Sequence, residues 1–269
     1  MESALKLEKR SFKERVISML RVDARRTLKS RTFYILLAVS LLVPIVMTVM
    51  MTMMDGSVSV NPQTGVETVI HGPESAWQSI GTLPGGEAMG GMDVMAMCNI
   101  NMMFMAVAVF VCLNISEDFS SGFAKNLFTV REKKSDYVIS KTVIGFVTGA
   151  LMLVLYFIGA MIGGAVSSLS FDLVGLTSMN ILTCMLSKIL LMLVFVPIFV
   201  CISVWARSKA WLSICASLGG GMLLFMMVGM ITPLNSTLMN VVLCLAGGAM
   251  FSFGLGAVSN IILKKSSLV

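Results

Sequence analysis

Histidine occurs once in this chain, at His71, and charged residues make up only 13% of it. A lone histidine completes neither a zinc-protease pair nor a Ser/His triad. No paired acids lie deep in an apolar run, which argues against a proton relay. GxxxxGK[ST] is also missing, so the chain does not itself hold ATP through a P-loop. Ser217–Gly221 echo a nucleotide-signature loop superficially, but they sit inside an apolar run and read as packing. The six cysteines (Cys98, Cys112, Cys184, Cys201, Cys215, Cys244) all fall within apolar runs and form no CxxC pair, which argues against a structural disulfide or zinc site.

What the chain has in abundance is apolar length. Of its 269 residues, 57% are hydrophobic, and six runs (33–54, 95–115, 142–166, 181–204, 210–232 and 238–263) each reach the length a helix needs to cross a bilayer. Continuous runs lack the alternation of a barrel strand, so the expected fold is an all-α integral membrane protein with six transmembrane helices. No cleavable signal peptide is expected, since residues 1–32 are charged and the first run is too long for a signal core.

The net charge of +6 is distributed by position: ten of the twenty Lys and Arg lie in residues 1–31, five in Lys125–Lys141, two at Arg207 and Lys209, and two at Lys264 and Lys265. These segments alternate with the spans, as one cytoplasmic face requires, so both termini are expected inside, with loop 55–94 outside and loop 116–141 inside. Orientation accounts for the basic excess without a nucleic-acid partner, although anionic lipid headgroups would be attracted too. In residues 2–31, Leu5, Phe12, Val16, Met19, Leu20 and Leu28 recur at roughly helical spacing. That pattern predicts an amphipathic interfacial helix over 1–32, the other reading being a solvated tail. In the outer loop, Gly with Pro62, Pro73 and Pro84 excludes a long helix, and a short amphipathic piece around Ser75–Ile80, carrying Trp77, could rest at the interface.

Lys188 is the one cation outside the basic segments. It stands about seven residues, roughly 10 Å, into span four. From there it can snorkel to the outer interface, or meet an anionic substrate or a neighbouring acid. Span two carries Asn99 and Asn101 beside Met102 and Met105, which makes it the best pathway-lining helix, and Ser213 and Ser217 on span five join the pathway candidates. Gly145/Gly149 and Gly159/Gly163 form two GxxxG pairs on nearly one face, suited to close helix contact.

The most specific stretch is Ser116–Lys141. Phe119, Phe123 and Leu127 at i, i+4, i+8 predict a short amphipathic helix presenting a Phe ridge to a partner groove, or resting on the membrane. Ser135 can cap the helix of span three. Glu117 or Asp118, Gly122, Lys125-x-Leu127-Phe128, a basic turn and Ser140-Lys141 resemble the inner loop of type-2 ATP-binding-cassette (ABC-2) permeases. Phe123 stands where that family usually has Thr, and the usual Pro before the basic turn is absent.

The resemblance implies the transmembrane domain of an exporter in the cell membrane. It would pair with a second six-span permease, identical or sister, and with two copies of a cytoplasmic ABC ATPase that bind ATP and Mg; this chain itself would hold no cofactor and catalyse nothing. Glu117, Asp118, Phe119, Gly122, Phe123, Lys125, Leu127 and Phe128 would couple to the ATPase. Met and Asn along the pathway suit amphipathic peptides, antimicrobial or toxin-like, or lipophilic compounds. The alternatives are a lipid or polysaccharide exporter and a nucleotide-independent channel or secondary carrier.

Overall fold

A computed structural model describes residues 11–60, 67–69, 72–73, 75–81, 99–130, 133–173 and 175–265. Expectations for residues 1–10, His71, Pro62, Pro84 and Cys98 lie outside the described residues. Helix α1 (Phe12–Lys29) opens with a Ser-x-x-Glu pattern, in which the Ser11 N–H donates to Glu14 Oε2 at 3.1 Å. After an extended Ser30 comes α2 (Arg31–Met53). A two-stranded antiparallel pair, β1 (Val58–Val60) and β2 (Glu67–Val69), and a 3₁₀ turn at Ala76–Ser79 follow. The rest is α3 (Met102–Ser120), α4 (Phe123–Val130), α5 (Ser135–Val166), α6 (Ser178–Ala206), α7 (Ala210–Ile231) and α8 (Leu238–Lys265).

Five of these helices, α2, α3, α5, α6 and α8, are long and apolar enough to cross a membrane. The chain is therefore an all-α multi-pass membrane protein. The clustered Lys and Arg define its basic end, and the 3₁₀ turn lies at the opposite, far end, where Ala76 N–H donates to the Ser170 carbonyl.

Several details differ from the expectations. Span two's helix begins at Met102, after a turn in which Asn99 Oδ1 accepts the Asn101 N–H at 2.9 Å. Span three's helix reaches back to Ser135, so seven residues expected in the loop are helical; Lys134 occupies the N-cap and Ser135 caps nothing. The piece around Trp77 packs on the protein: Ala76 and Ile80 are buried, and Trp77 Nε1 donates to the Phe171 carbonyl at 3.0 Å.

The two GxxxG pairs serve different neighbours. A β-carbon on Gly159 would lie 2.3 Å from the Leu41 carbonyl oxygen, and one on Gly163 would lie 3.1 Å from Ile45 Cα, so this pair admits the α2 backbone beside Pro44. Gly145 and Gly149 face Val111 and Val107 of α3 and Val196 and Met192 of α6 instead. A 14-residue separation is close to four turns, but α5 is wedged between partners and its two halves use different edges of one stripe.

Gly159→Ala should lower the stability of the purified chain by about 1–3 kcal/mol, the cost of overpacking. Gly247→Ala, where a methyl group would meet nothing within 4 Å, should change it little. Thermal unfolding of the two variants checks this, and equal midpoints would contradict the α2–α5 approach.

Candidate functional site

Two buried lysines organise the polar interior. The first, Lys141, projects from the second turn of α5 into a cluster built from three helices at the basic end. Its Nζ lies 2.6 Å from Asp118 Oδ2 of α3 and 3.1 Å from Asp23 Oδ1 of α1, and donates to Asn114 Oδ1 at 2.7 Å. Asp118 also accepts Arg26 (2.5 Å) and the Tyr137 hydroxyl (3.0 Å), while Ser140 Oγ donates to Asp23 at 2.5 Å. Arg15 pairs with Asp136 at 3.0 Å. Three cations thus face three carboxylates, Asp23, Asp118 and Asp136, each about 1% exposed. Each carboxylate has a cation beside it, the term on which buried charge is tolerated; Asp118 and Asp23 accept further hydrogen bonds, while Asp136 Oδ1 is buried without one.

This cluster changes the reading of α1. Its buried stripe is Met19, Asp23 and Thr27, spaced i, i+4, i+8, and it packs on α5 through an acid. Phe12, Ile17, Val22 and Leu28 stay exposed. The apolar pattern is present, but the face committed to protein is a polar one.

The cluster also turns the expected Phe ridge inward. One continuous helix through Phe119, Phe123 and Leu127 is not formed, because Gly122 adopts φ +75° and separates α3 from α4. That left-handed conformation suits glycine alone among common residues. Phe123 then lies under the Arg26 guanidinium, 4.1 Å from ring centroid to Cζ. Phe119 and Phe128 meet Tyr137 edge-on at 6.5 and 5.3 Å, and Leu127 packs on the same core. Burying aromatic surface against a ring and a cation outweighs leaving it in water. Glu117, Lys125, Asn126 and Thr129 form the exposed side. Asp118, expected to face a partner, is buried as the hub of the ion cluster.

The second lysine, Lys188 of α6, does not snorkel. It is fully buried, and its Nζ donates to Asn101 Oδ1 at 2.8 Å and Thr232 Oγ1 at 2.9 Å. It therefore joins the start of α3 to the end of α7 at the far end. Both acceptors are neutral, and among the described residues no carboxylate pairs with it.

The remaining pathway candidates lie along the same seam of α3, α6 and α7. Met105 and Ser217 line a small recess with Phe104, Ala108, Phe195 and Phe199. Nearer the basic end, Ser213 Oγ donates to Ser203 Oγ at 2.8 Å, and the Cys112 thiol donates to Ser217 at 3.2 Å. Met102 packs partly buried on the core, and Asn99 is buried at the turn. The seam is polar at both ends and apolar between.

Sequence reading missed Asp23, Arg26, Asn114, Asp136, Tyr137, Ser203 and Thr232. Asp23 carried a signal, an acid four residues from Met19 on a basic helix; Thr232 carried none. Among the described residues no group of His, Cys, Asp and Glu could hold a metal ion. No family model, curated protein or solved structure matches the chain.

Among the described residues, Lys141→Met leaves Asp23 without a cation and Asp118 with Arg26 alone, and should cost about 3–5 kcal/mol. Lys125→Met, at an exposed position, should stay within about 0.5 kcal/mol. Unfolding midpoints of the two variants in detergent compare them directly; a Lys141 variant as stable as the parent would remove the cluster from its structural role.

Proposed function

We propose that this chain is the permease subunit of a type-2 ATP-binding-cassette exporter, moving amphipathic peptides or lipophilic compounds out of the cell. In this reading α7 is the sixth span, the basic end is cytoplasmic with both termini, and the membrane is the plasma membrane. Two permeases, identical or sister, work with two ATPases that bind ATP and Mg.

One observation carries the reading: α4 is a short helix at the basic end whose apolar side is clamped and whose polar side is free. Phe123, Leu127 and Phe128 pack inward, while Lys125 and Asn126 of α4, beside Glu117 at the end of α3, stay in solvent. A coupling element needs that combination. It must offer groups to a partner and be stiff enough to pass on displacement. The ion cluster stiffens the seat of α4: α1, α3 and α5 are tied together through nearly inaccessible carboxylates, and α4 packs on them through Phe123 beneath Arg26 and Phe128 against Tyr137.

The route inward is equally specific. Gly122 is a joint between α4 and α3, and α3 runs unbroken from that joint to Met102, one residue from the partner of Lys188. Approach of two ATPases would press on α4, tilt α3, and open the seam lined by Met105, Phe195, Phe199 and Ser217. Such coupling requires the ATPase states to interact differently with α4, since a ligand shifts an equilibrium only by its differential affinity.

Co-purification with the cognate ATPase tests the docking face. Glu117→Lys with Lys125→Glu should cut ATPase recovery about tenfold, the loss of roughly one or two charge-assisted contacts, with membrane insertion unchanged. Reconstitution separates the classes of mechanism: flux should appear only with the ATPase and ATP. Nucleotide-independent flux through the lone chain would establish a channel or carrier instead.

A further inference from the structure

Among the described residues two lysines are buried, on very different terms. Lys141 has two carboxylates within 3.1 Å and is electrically matched. Lys188 has, among the described residues, the amide oxygen of Asn101 and the hydroxyl of Thr232 as its acceptors, although it is fully buried. A lysine at such depth costs about 2.5–3.5 kcal/mol on insertion scales, and two neutral dipoles recover part of that. A protein that needed only to pin α3, α6 and α7 together could do so without a charge. Uncharged side chains would make similar hydrogen bonds at lower desolvation cost.

The surroundings say what kind of group the charge suits. Phe195 follows Lys188 by seven residues, roughly 10 Å along α6. With Phe104, Met105, Ala108 and Phe199 it forms an apolar wall between the same three helices. A cation at one end and an aromatic and methionine wall beside it match an amphiphile with a negative head and an apolar body. The wall adds no carboxylate that would repel the head, and flexible Met105 can adapt to bodies of different shape.

We infer that the α3–α6–α7 seam binds amphipathic anions, with a carboxylate or phosphate on Lys188 and the apolar portion along Phe104, Met105, Phe195 and Phe199. In the form described here Asn101 and Thr232 occupy the head-group position. An arriving anion displaces these neutral acceptors, because a full opposite charge attracts a buried ammonium more strongly than two uncharged dipoles do. Release of Asn101 frees the start of α3. This names the class of cargo, or of resident lipid, for the pathway proposed above, and it rests on that reading only for its link to transport.

The binding itself is measured on the full chain without any ATPase, so its failure and the failure of ATP coupling are separate results. Dodecanoate is titrated into the protein in phosphatidylcholine nanodiscs, with dodecanol and dodecylamine as neutral and cationic probes of equal length. Dodecanoate should bind most tightly. Lys188→Gln should weaken it about tenfold and leave dodecanol unchanged, as expected for loss of one charged contact. Asn101→Ala, which keeps Lys188 and removes a competing acceptor, should strengthen dodecanoate binding several-fold, and it tests the idea even where the Lys188 variant does not fold.

Nanodiscs containing phosphatidylglycerol distinguish the sources. Competition with dodecanoate assigns the site to a lipid headgroup, and none assigns it to a free amphiphile. Equal affinity for the acid and the alcohol, or dodecanoate binding unaffected by Lys188→Gln, would overturn the assignment.

Discussion

A carboxylate removed from water needs a cation beside it, and at the basic end of this protein that requirement decides how α1, α3 and α5 fit together. Asp118 is the centre of the solution. It ends α3, yet it receives Lys141 and Tyr137 from α5 and Arg26 from α1. Exposed ion pairs are worth little, because water competes for both partners. These carboxylates are nearly inaccessible, so removing the cation beside Asp23 or Asp136 strands a charge with nothing among the described residues to replace it. The position of α1 follows from that, as does the position of α4, whose Phe123 is roofed by the same Arg26 that reaches Asp118.

The consequence for motion is that α3 is held at both ends by lysines of other helices, but unequally. Its basic end carries Asn114 and Asp118, both bonded to Lys141. Its far end begins beside Asn101, bonded to Lys188. Separation at the first end would expose mismatched ions. At the second it would break two hydrogen bonds to neutral acceptors and let water reach an ammonium group, which hydration favours. A helix anchored so asymmetrically tilts about the stronger anchor. The seam between α3, α6 and α7 is therefore readier to part at the far end than at the basic one.

Much of this architecture can be read in the sequence, and the limits are physical. Apolar length marks helices such as Ser178–Ala206 because a bilayer demands it, and the Lys and Arg pattern separates one end from the other. The loop from Ser116 to Lys141 stands out by composition. Its periodicity reveals that Phe119, Phe123 and Leu127 belong together, but not whether the ridge meets a partner or the protein's own α1 and α5. Periodicity reports a face, and only the fold assigns that face a neighbour. The same ambiguity hides Asp23 within an otherwise amphipathic helix. It also leaves Lys188 free, on paper, to snorkel, since the two oxygens that hold it come from positions 87 residues before and 44 residues after it.

Glycine use divides the membrane part in a way that fits unequal anchoring. Where α5 crosses α2, Gly159 and Gly163 bring backbone against backbone around Pro44, and any side chain there would collide with Leu41 or Ile45. Dispersion between surfaces that close is the main attraction available in lipid, where helices gain nothing from excluding water. At Gly219 and Gly220 of α7, and at Gly247, Gly254 and Gly256 of α8, a β-carbon would meet nothing within 4 Å. Those glycines lower helix propensity without any contact in return. The α2–α5 pair, continuous with the ion cluster through Lys141, is thus the rigid side of the molecule. The looser side is α7, which shares the seam with α3 and α6 and contributes Ser213 and Ser217. Movement of α3 at its far end meets less resistance toward α7 than toward α5, because Gly145 and Gly149 seat Val111 and Val107 against α5 at distances that leave no slack.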